Sequence, residues 1–180
     1  NVSKNEKIFK EGIYIGGNYS YNYYHFLFEY IVIFMNIEKS ELSESIPLLV
    51  DDICTNIPQF YELLNRLNNN RRQIIPIKKG GRYFIKQLYH YSPINIIPPN
   101  FKNFKEIYAH DVLFDLESLE FIRVKLLPLS SKKKFPKKIF LSRSKVCNLR
   151  KFNEDEVFNT LKKYGFIKFY PEDYSIADQI

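Results

Sequence analysis

The sequence predicts an α/β fold built on parallel sheets. Two observations carry that expectation. Short apolar runs alternate along the chain with segments of helical periodicity. Residues 138–170 also read as one strand–helix–strand unit with about 25 residues between the strands, the signature of a right-handed parallel crossover. Composition agrees. The 180 residues are 45% apolar and 26% charged, with 27 Lys+Arg against 20 Asp+Glu and a formal net charge of +7. Such values exclude a disordered, collagen-like or disulfide-stapled chain and fit one large domain, or one domain and part of a second.

The elements follow in order. Gly12 to Ile15 is a short strand stopped by Gly16-Gly17. Tyr21 to Ile37 is helical, with Leu27, Tyr30, Ile31, Phe34 and Ile37 spaced by three and four along one face. Pro47 to Val50 is a buried strand ended by Asp51-Asp52, a pair whose adjacency lacks the Asp-x-Asp spacing of a metal motif. Pro58 to Leu67 is a helix with Pro58 in its first turn and Phe60, Leu63, Leu64 and Leu67 on one face. Gln73 to Ile77 is a strand, and Arg82 to Tyr91 is extended. Pro93, Pro98 and Pro99 mark a loop. Asp115 to Leu127 is a helix with apolar positions Leu116, Leu119, Ile122, Val124 and Leu126, closed by Pro128. Ser130 to Lys137 has the composition of a linker. Beyond it, Lys138 to Leu141 is a strand. Asn153 to Tyr164 is a helix with Asn153 as N-cap, acids in the first turn and lysines in the last. Gly165 takes the αL position after it, Phe166 to Tyr170 is a strand, and a helix opens near Pro171.

Charge is unevenly placed. Between Glu62 and Glu106 there is no acid and there are nine bases; between Glu120 and Glu154 there is again no acid and there are eleven. Such windows attract anions, among them phosphates, nucleic acid and anionic membrane surfaces. No stretch has the length of a membrane span. Cys54 and Cys147 are too few for a disulfide framework; they read as small buried hydrophobes in a reducing compartment.

Two clusters could carry chemistry. In the first, Gly16-Gly17 lets the backbone pass close to another group. His25 and Glu29 then stand four apart on a helix, where a carboxylate can fix the imidazole tautomer and raise its basicity. The Tyr and Phe residues around them read as core rather than as a ligand platform. In the second, Arg143 follows the strand Ile139-Phe140-Leu141, at the sheet edge where ligands bind in open α/β folds, and Arg150 lies just before a helix N-terminus. An arginine fork suits a diphosphate.

Taken together these features resemble glycosyltransferase family 61, whose bacterial members are capsular polysaccharide biosynthesis proteins. The residues that carry the resemblance are Asn22-Tyr23-Tyr24-His25-Phe26-Leu27-Phe28-Glu29, then Pro47-Leu48-Leu49-Val50, then Ile139-Phe140-Leu141-Ser142-Arg143 with Arg150 and Asn153-Glu154. The last group is Gly165-Phe166, Pro171-Glu172, Ser175 and Gln179-Ile180. The resemblance implies a GT-B-like pair of Rossmann-like domains. Residues 1–129 would be the acceptor-side domain, 130–137 a linker, and 138–180 the start of a nucleotide-sugar-side domain whose remainder lies beyond the chain. It implies sugar transfer from a nucleotide-sugar donor to a polysaccharide or glycan, with inversion, with no essential metal or other cofactor, and in the cytoplasm or at the membrane surface through the basic windows. His25 would be the catalytic base and Glu29 its orienting partner. Arg143 and Arg150 would contact the donor diphosphate, with Gly16 and Gly17 the other donor-binding candidates. On the residues alone, two alternatives stay open. One is a basic α/β module that grips nucleic acid, supported by the acid-free windows and the many tyrosines. The other is a non-catalytic protein with a glycosyltransferase-like fold.

Overall fold

The computed structural model of the chain describes residues 7–96, 112–145 and 152–180. The chain divides into two compact units, Asn1–Leu126 and Leu127–Ile180.

The first unit is built on a four-stranded parallel sheet. Its strands are β1 (Lys7–Ile15), β2 (Leu48–Asp51), β3 (Ile74–Ile77) and β4 (Tyr83–Tyr89), in the order β3-β2-β1-β4. Strand order reverses at β1, the place where open α/β sheets leave a crevice at the carboxyl ends of their strands. Leu48, Leu49 and Val50 are all buried. This is why β2 reads as an unbroken apolar run: both of its faces are covered. β1 starts at Lys7, five residues before the expected Gly12. Its first half pairs only with β4, from Lys7↔Tyr83 on, and β2 joins at Ile13↔Leu48. That half is therefore more exposed and carries charged residues that mask its strand character.

The expected helix from Tyr21 to Ile37 is broken into three pieces. α1 (Tyr23–His25) passes into a π-helical turn, Phe26–Tyr30, and α2 (Ile33–Lys39) follows. The Asn22 side chain caps α1 by accepting from Tyr24 N–H. The π-turn changes the buried face. Ile31 N–H donates to Phe26 C=O five residues back (2.9 Å), so Phe26 rather than Leu27 joins Ile31, Phe34 and Ile37 in the core. Phe26 stacks on Phe60 with centroids 4.0 Å apart and planes 2° from parallel. α4 (Pro58–Asn68) matches expectation, with Phe60, Leu63, Leu64 and Leu67 buried. A short helix, α3 (Asp52–Asn56), precedes it where the sequence showed only a strand end. α5 (Leu116–Leu126) forms as expected but buries Ser118 and Leu126, whereas Leu116 and Val124 are exposed. The cause is Asn95, fully buried. Its Oδ1 accepts from Asp115 N–H (2.7 Å) and Ser118 Oγ–H (3.3 Å), and its Nδ2 donates to Phe28 C=O (2.7 Å) within the π-turn.

The second unit holds β5 (Ile139–Leu141) parallel to β6 (Ile167–Phe169), with α6 (Glu154–Lys162) between them in sequence, as the βαβ pattern required. Gly165 is left-handed at φ +81°. Asn153 does not cap α6 with its side chain; its Nδ2 instead donates to Glu156 (2.5 Å). Near Pro171 a 3-10 turn, Pro171–Asp173, precedes α7 (Ile176–Gln179), which Ser175 caps. Residues 130–137 carry no regular structure. Phe135 lies edge-on to Phe169 and Tyr174 (5.6 and 5.5 Å), and Lys133 sits 4.8 Å from the Tyr174 ring centroid. Pro98, Pro99, Cys147 and Arg150 lie outside the described residues.

Candidate functional site

The carboxyl ends of β1 and β2 build a tight turn around one carboxylate. Register sets Ile15 beside Val50, which brings Asp51 level with Gly16. Asp51 accepts three hydrogen bonds: from Tyr14 O–H (2.7 Å), Gly17 N–H (2.8 Å) and Ser20 Oγ–H (2.8 Å). Glycine is required at position 16, where a Cβ would stand 2.5 Å from the Asp51 carboxyl carbon, and at position 17, whose φ is +143°. Tyr30 O–H closes the turn from the helical side by donating to Asn18 C=O (2.5 Å). Burial, followed by the nearby Glu29 carboxylate, pushes the Tyr30 phenol up to about 12. Burial and the bond to Asp51 raise the Tyr14 phenol as well. Both phenols stay protonated at neutral pH and act as donors. Behind them Cys54 is buried and gives its S–H to Ser20 C=O; burial pushes this thiol up to about 12, so it is an inert core group. Gly17→Ala is expected to cost about 1–3 kcal/mol, because it adds left-handed strain and a Cβ 3.1 Å from the Tyr30 oxygen. A shifted urea midpoint with unchanged slope would measure it.

The turn delivers Tyr19 to His25. With Gly17 and Ser20 both tied to Asp51, Tyr19 is held at φ +66°, a sparsely populated region for a bulky residue. Its ring stacks on the His25 imidazole at 5.3 Å. His25 Nδ1 lies 2.8 Å from Glu29 Oε2, and the two side chains are only 12% and 13% exposed. The pair spans the junction of α1 and the π-turn, a device that recurs at functional sites. With Nδ1–H donated to the carboxylate, the neutral tautomer leaves Nε2 as the basic nitrogen. Contrary to the sequence expectation, the surrounding tyrosines are not core. Tyr21, Tyr23 and Tyr24 are 58%, 45% and 46% exposed.

In the second unit Arg143 follows β5, as expected, and is exposed. Its position is fixed through the backbone. Glu154, at the start of α6, accepts from Ser142 Oγ–H (2.5 Å) and Arg143 N–H (2.8 Å) and pairs with Lys168 (3.3 Å). The Ser142 hydroxyl, then the Arg143 amide and the Lys168 ammonium, hold the Glu154 carboxyl below its ordinary value. A depressed native value gives stability that is present above the unfolded-state value of about 4.3 and lost as pH falls through the native one. The β5–α6 amide resonances of the full chain are therefore expected to shift as acid is added below about pH 4. Glu154→Gln removes that part of the response.

Much of the basic charge has local partners. Arg66 pairs with Glu62 (2.7 Å), Lys125 with Glu38 (2.7 Å) and Lys145 with Asp173. Arg72 is buried, and its guanidinium donates to the carbonyls of Leu42, Ser43 and Ile46. It is a structural clamp rather than an anion ligand.

The structure thus brings Gly16, Gly17, His25 and Glu29 together within the first unit, fixes Arg143 in the second, and leaves Arg150 undescribed. Sequence reasoning missed Asp51, Tyr14, Tyr19, Ser20, Tyr30 and Asn95. For Asp51 a signal existed: it ends a buried parallel strand while a neighbouring strand ends in Gly-Gly. No curated protein and no solved structure matches the chain. Residues 23–180 match the family described as Glycosyltransferase 61, a range that contains His25, Glu29 and Arg143 and begins just after the glycine turn. With the imidazole–carboxylate pair standing at the carboxyl edge of a parallel sheet, and with most of the chain inside that match, the chain belongs to glycosyltransferase family 61 and is a glycosyltransferase.

Proposed function

We propose that the chain transfers a sugar from a nucleotide-sugar donor to a polysaccharide or glycan acceptor, such as a cell-surface polysaccharide, with inversion at the anomeric carbon. The observation that carries this reading is the His25–Glu29 pair at 2.8 Å, largely shielded from solvent at the carboxyl end of β1. Glu29 orients the imidazole, and His25 Nε2 takes the proton of the acceptor hydroxyl as its oxygen attacks the anomeric carbon. The bond from that carbon to the diphosphate oxygen breaks, and the nucleoside diphosphate leaves with the electron pair. Arg143 and Arg150 meet the diphosphate charge, a role that needs no metal. The glycine turn of Gly16 and Gly17 keeps backbone close to the donor. The reading includes a GT-B-like arrangement with a second Rossmann-like domain that begins near residue 138. It also places the enzyme in the cytoplasm, with the exposed Lys78, Lys79, Arg82 and Lys86 offering a contact to an anionic membrane surface. Among the described residues no helix is long and apolar enough to cross a membrane.

The test is calorimetric titration and donor hydrolysis with a panel of UDP-, GDP-, ADP- and dTDP-sugars. Binding and turnover of one donor class are expected; silence across the panel would sink the reading. Arg143→Ala is expected to weaken nucleotide binding by about 1.5–3 kcal/mol, as for a charge-assisted bond. Unchanged affinity would remove Arg143 from the site.

A further inference from the structure

We infer that the ring stripe Tyr21–Tyr19–His25–Tyr24 is the seat of the acceptor, and that this acceptor is an uncharged saccharide. The inference rests on the glycosyltransferase reading of the same site and adds where the glycan acceptor is seated and that it is uncharged. Four rings follow one another there: Tyr21 to Tyr19 at 6.2 Å, Tyr19 to His25 at 5.3 Å and His25 to Tyr24 at 6.3 Å. Tyr21 and Tyr24 are 58% and 46% exposed, so the ends of the stripe are wet while its centre is shielded. Exposed aromatics clustered around a part-buried imidazole are not explained by core packing. The C–H face of a pyranose is apolar and carries slight positive charge, and the face of a phenol ring carries negative charge, so the two surfaces attract and shed water together. A sugar ring laid on the stripe would present its hydroxyls to His25, the group proposed to take the acceptor proton.

Charge decides against the other ligands that stack on tyrosines. From Glu11 to Asn65 the only lysine or arginine is Lys39, and it is paired with Glu117 at 2.5 Å. The carboxylates of Glu29 and Asp51 lie beside the stripe. A phosphate group seated on the rings themselves would find no unpaired lysine or arginine among the residues of this stretch. A neutral sugar needs none.

The chain contains no tryptophan, so Tyr21→Trp places a single indole in the stripe, excited at about 295 nm where the tyrosines do not absorb appreciably. The full chain with this substitution is titrated with neutral tetrasaccharides of glucose, galactose, mannose, xylose and N-acetylglucosamine. Separate arms use UMP, UDP-glucose and oligo(dT). A saturable change in emission with at least one tetrasaccharide is expected, with none from UMP or oligo(dT). Adding Tyr24→Ala should weaken that response roughly tenfold, while Tyr24→Phe, which keeps the ring, should not. The inference is overturned if no tetrasaccharide gives a saturable change, if Tyr24→Ala leaves the affinity unchanged, or if UMP or oligo(dT) saturates the signal instead. Calorimetry with the nucleotide-sugar panel on the same protein separates the two readings. Donor binding without a saccharide response overturns the stripe and leaves glycosyl transfer standing. A saccharide response without donor binding does the reverse.

Discussion

His25→Ala is expected to lower the turnover number for sugar transfer by about 10²–10⁴-fold, the range that a positioned general base supplies. Donor affinity is expected to stay within about twofold, since the donor contacts are assigned to arginines elsewhere. The split between kcat and KM is the informative readout. An imidazole that acts on the acceptor proton contributes in the transition state, so its loss appears in kcat. A purely structural histidine would lower the amount of folded protein and leave the kcat of the remainder intact. Glu29→Gln keeps the side-chain shape and a hydrogen-bond acceptor but removes the charge that stabilises the imidazolium. Its effect is expected to be smaller than that of His25→Ala. A His25→Ala enzyme within threefold of wild-type kcat would show that another group takes the proton.

Asp51→Ala is expected to destabilise the first unit by about 2–3 kcal/mol, because one change removes the acceptor of three donors, one of them on a buried residue. Tyr14 O–H, Gly17 N–H and Ser20 Oγ–H all end on this carboxylate, and Ser20 is buried, so its hydroxyl would lose its partner away from water. The consequence reaches the chemistry as well. The bonds to Gly17 and Ser20 hold Tyr19 in its left-handed conformation against His25, and without them the backbone relaxes and the ring leaves the imidazole. Urea denaturation should show a lower midpoint at unchanged slope. Activity under conditions where the variant is still folded should fall too. Asp51→Asn keeps a single acceptor oxygen and is expected to fall between wild type and alanine. A midpoint shift worth less than about 0.5 kcal/mol would mean that water replaces the carboxylate at little cost.

The α/β class, the βαβ unit from residue 138 on, α4 and the His25–Glu29 pair were legible in the sequence because each depends on local rules. Period-two and period-3.6 patterns report which face is buried, and an i,i+4 spacing brings two side chains together whatever surrounds the helix. The Glycosyltransferase 61 match over residues 23–180 bears out the resemblance read from the ordered motifs. The π-turn was not legible. Its extra residue per turn is stabilised from outside, by Asn95 reaching back 67 positions to the Phe28 carbonyl. A 3.6-residue period therefore put Leu27 in the core where Phe26 belongs.

The same division holds at the site. By itself the sequence determined that a glycine pair follows a strand, that a histidine and a glutamate share a helical face, and that an arginine stands past the strand opening the second unit. Only the tertiary structure decided what holds these groups. It set Asp51, from a different strand, under the glycine turn, made Arg72 a carbonyl clamp rather than an anion ligand, and left Tyr21 and Tyr24 exposed beside His25. The physical reason is that strand register and side-chain burial arise from long-range pairing. That pairing is fixed by the fit of whole faces, and no window of neighbouring residues encodes it.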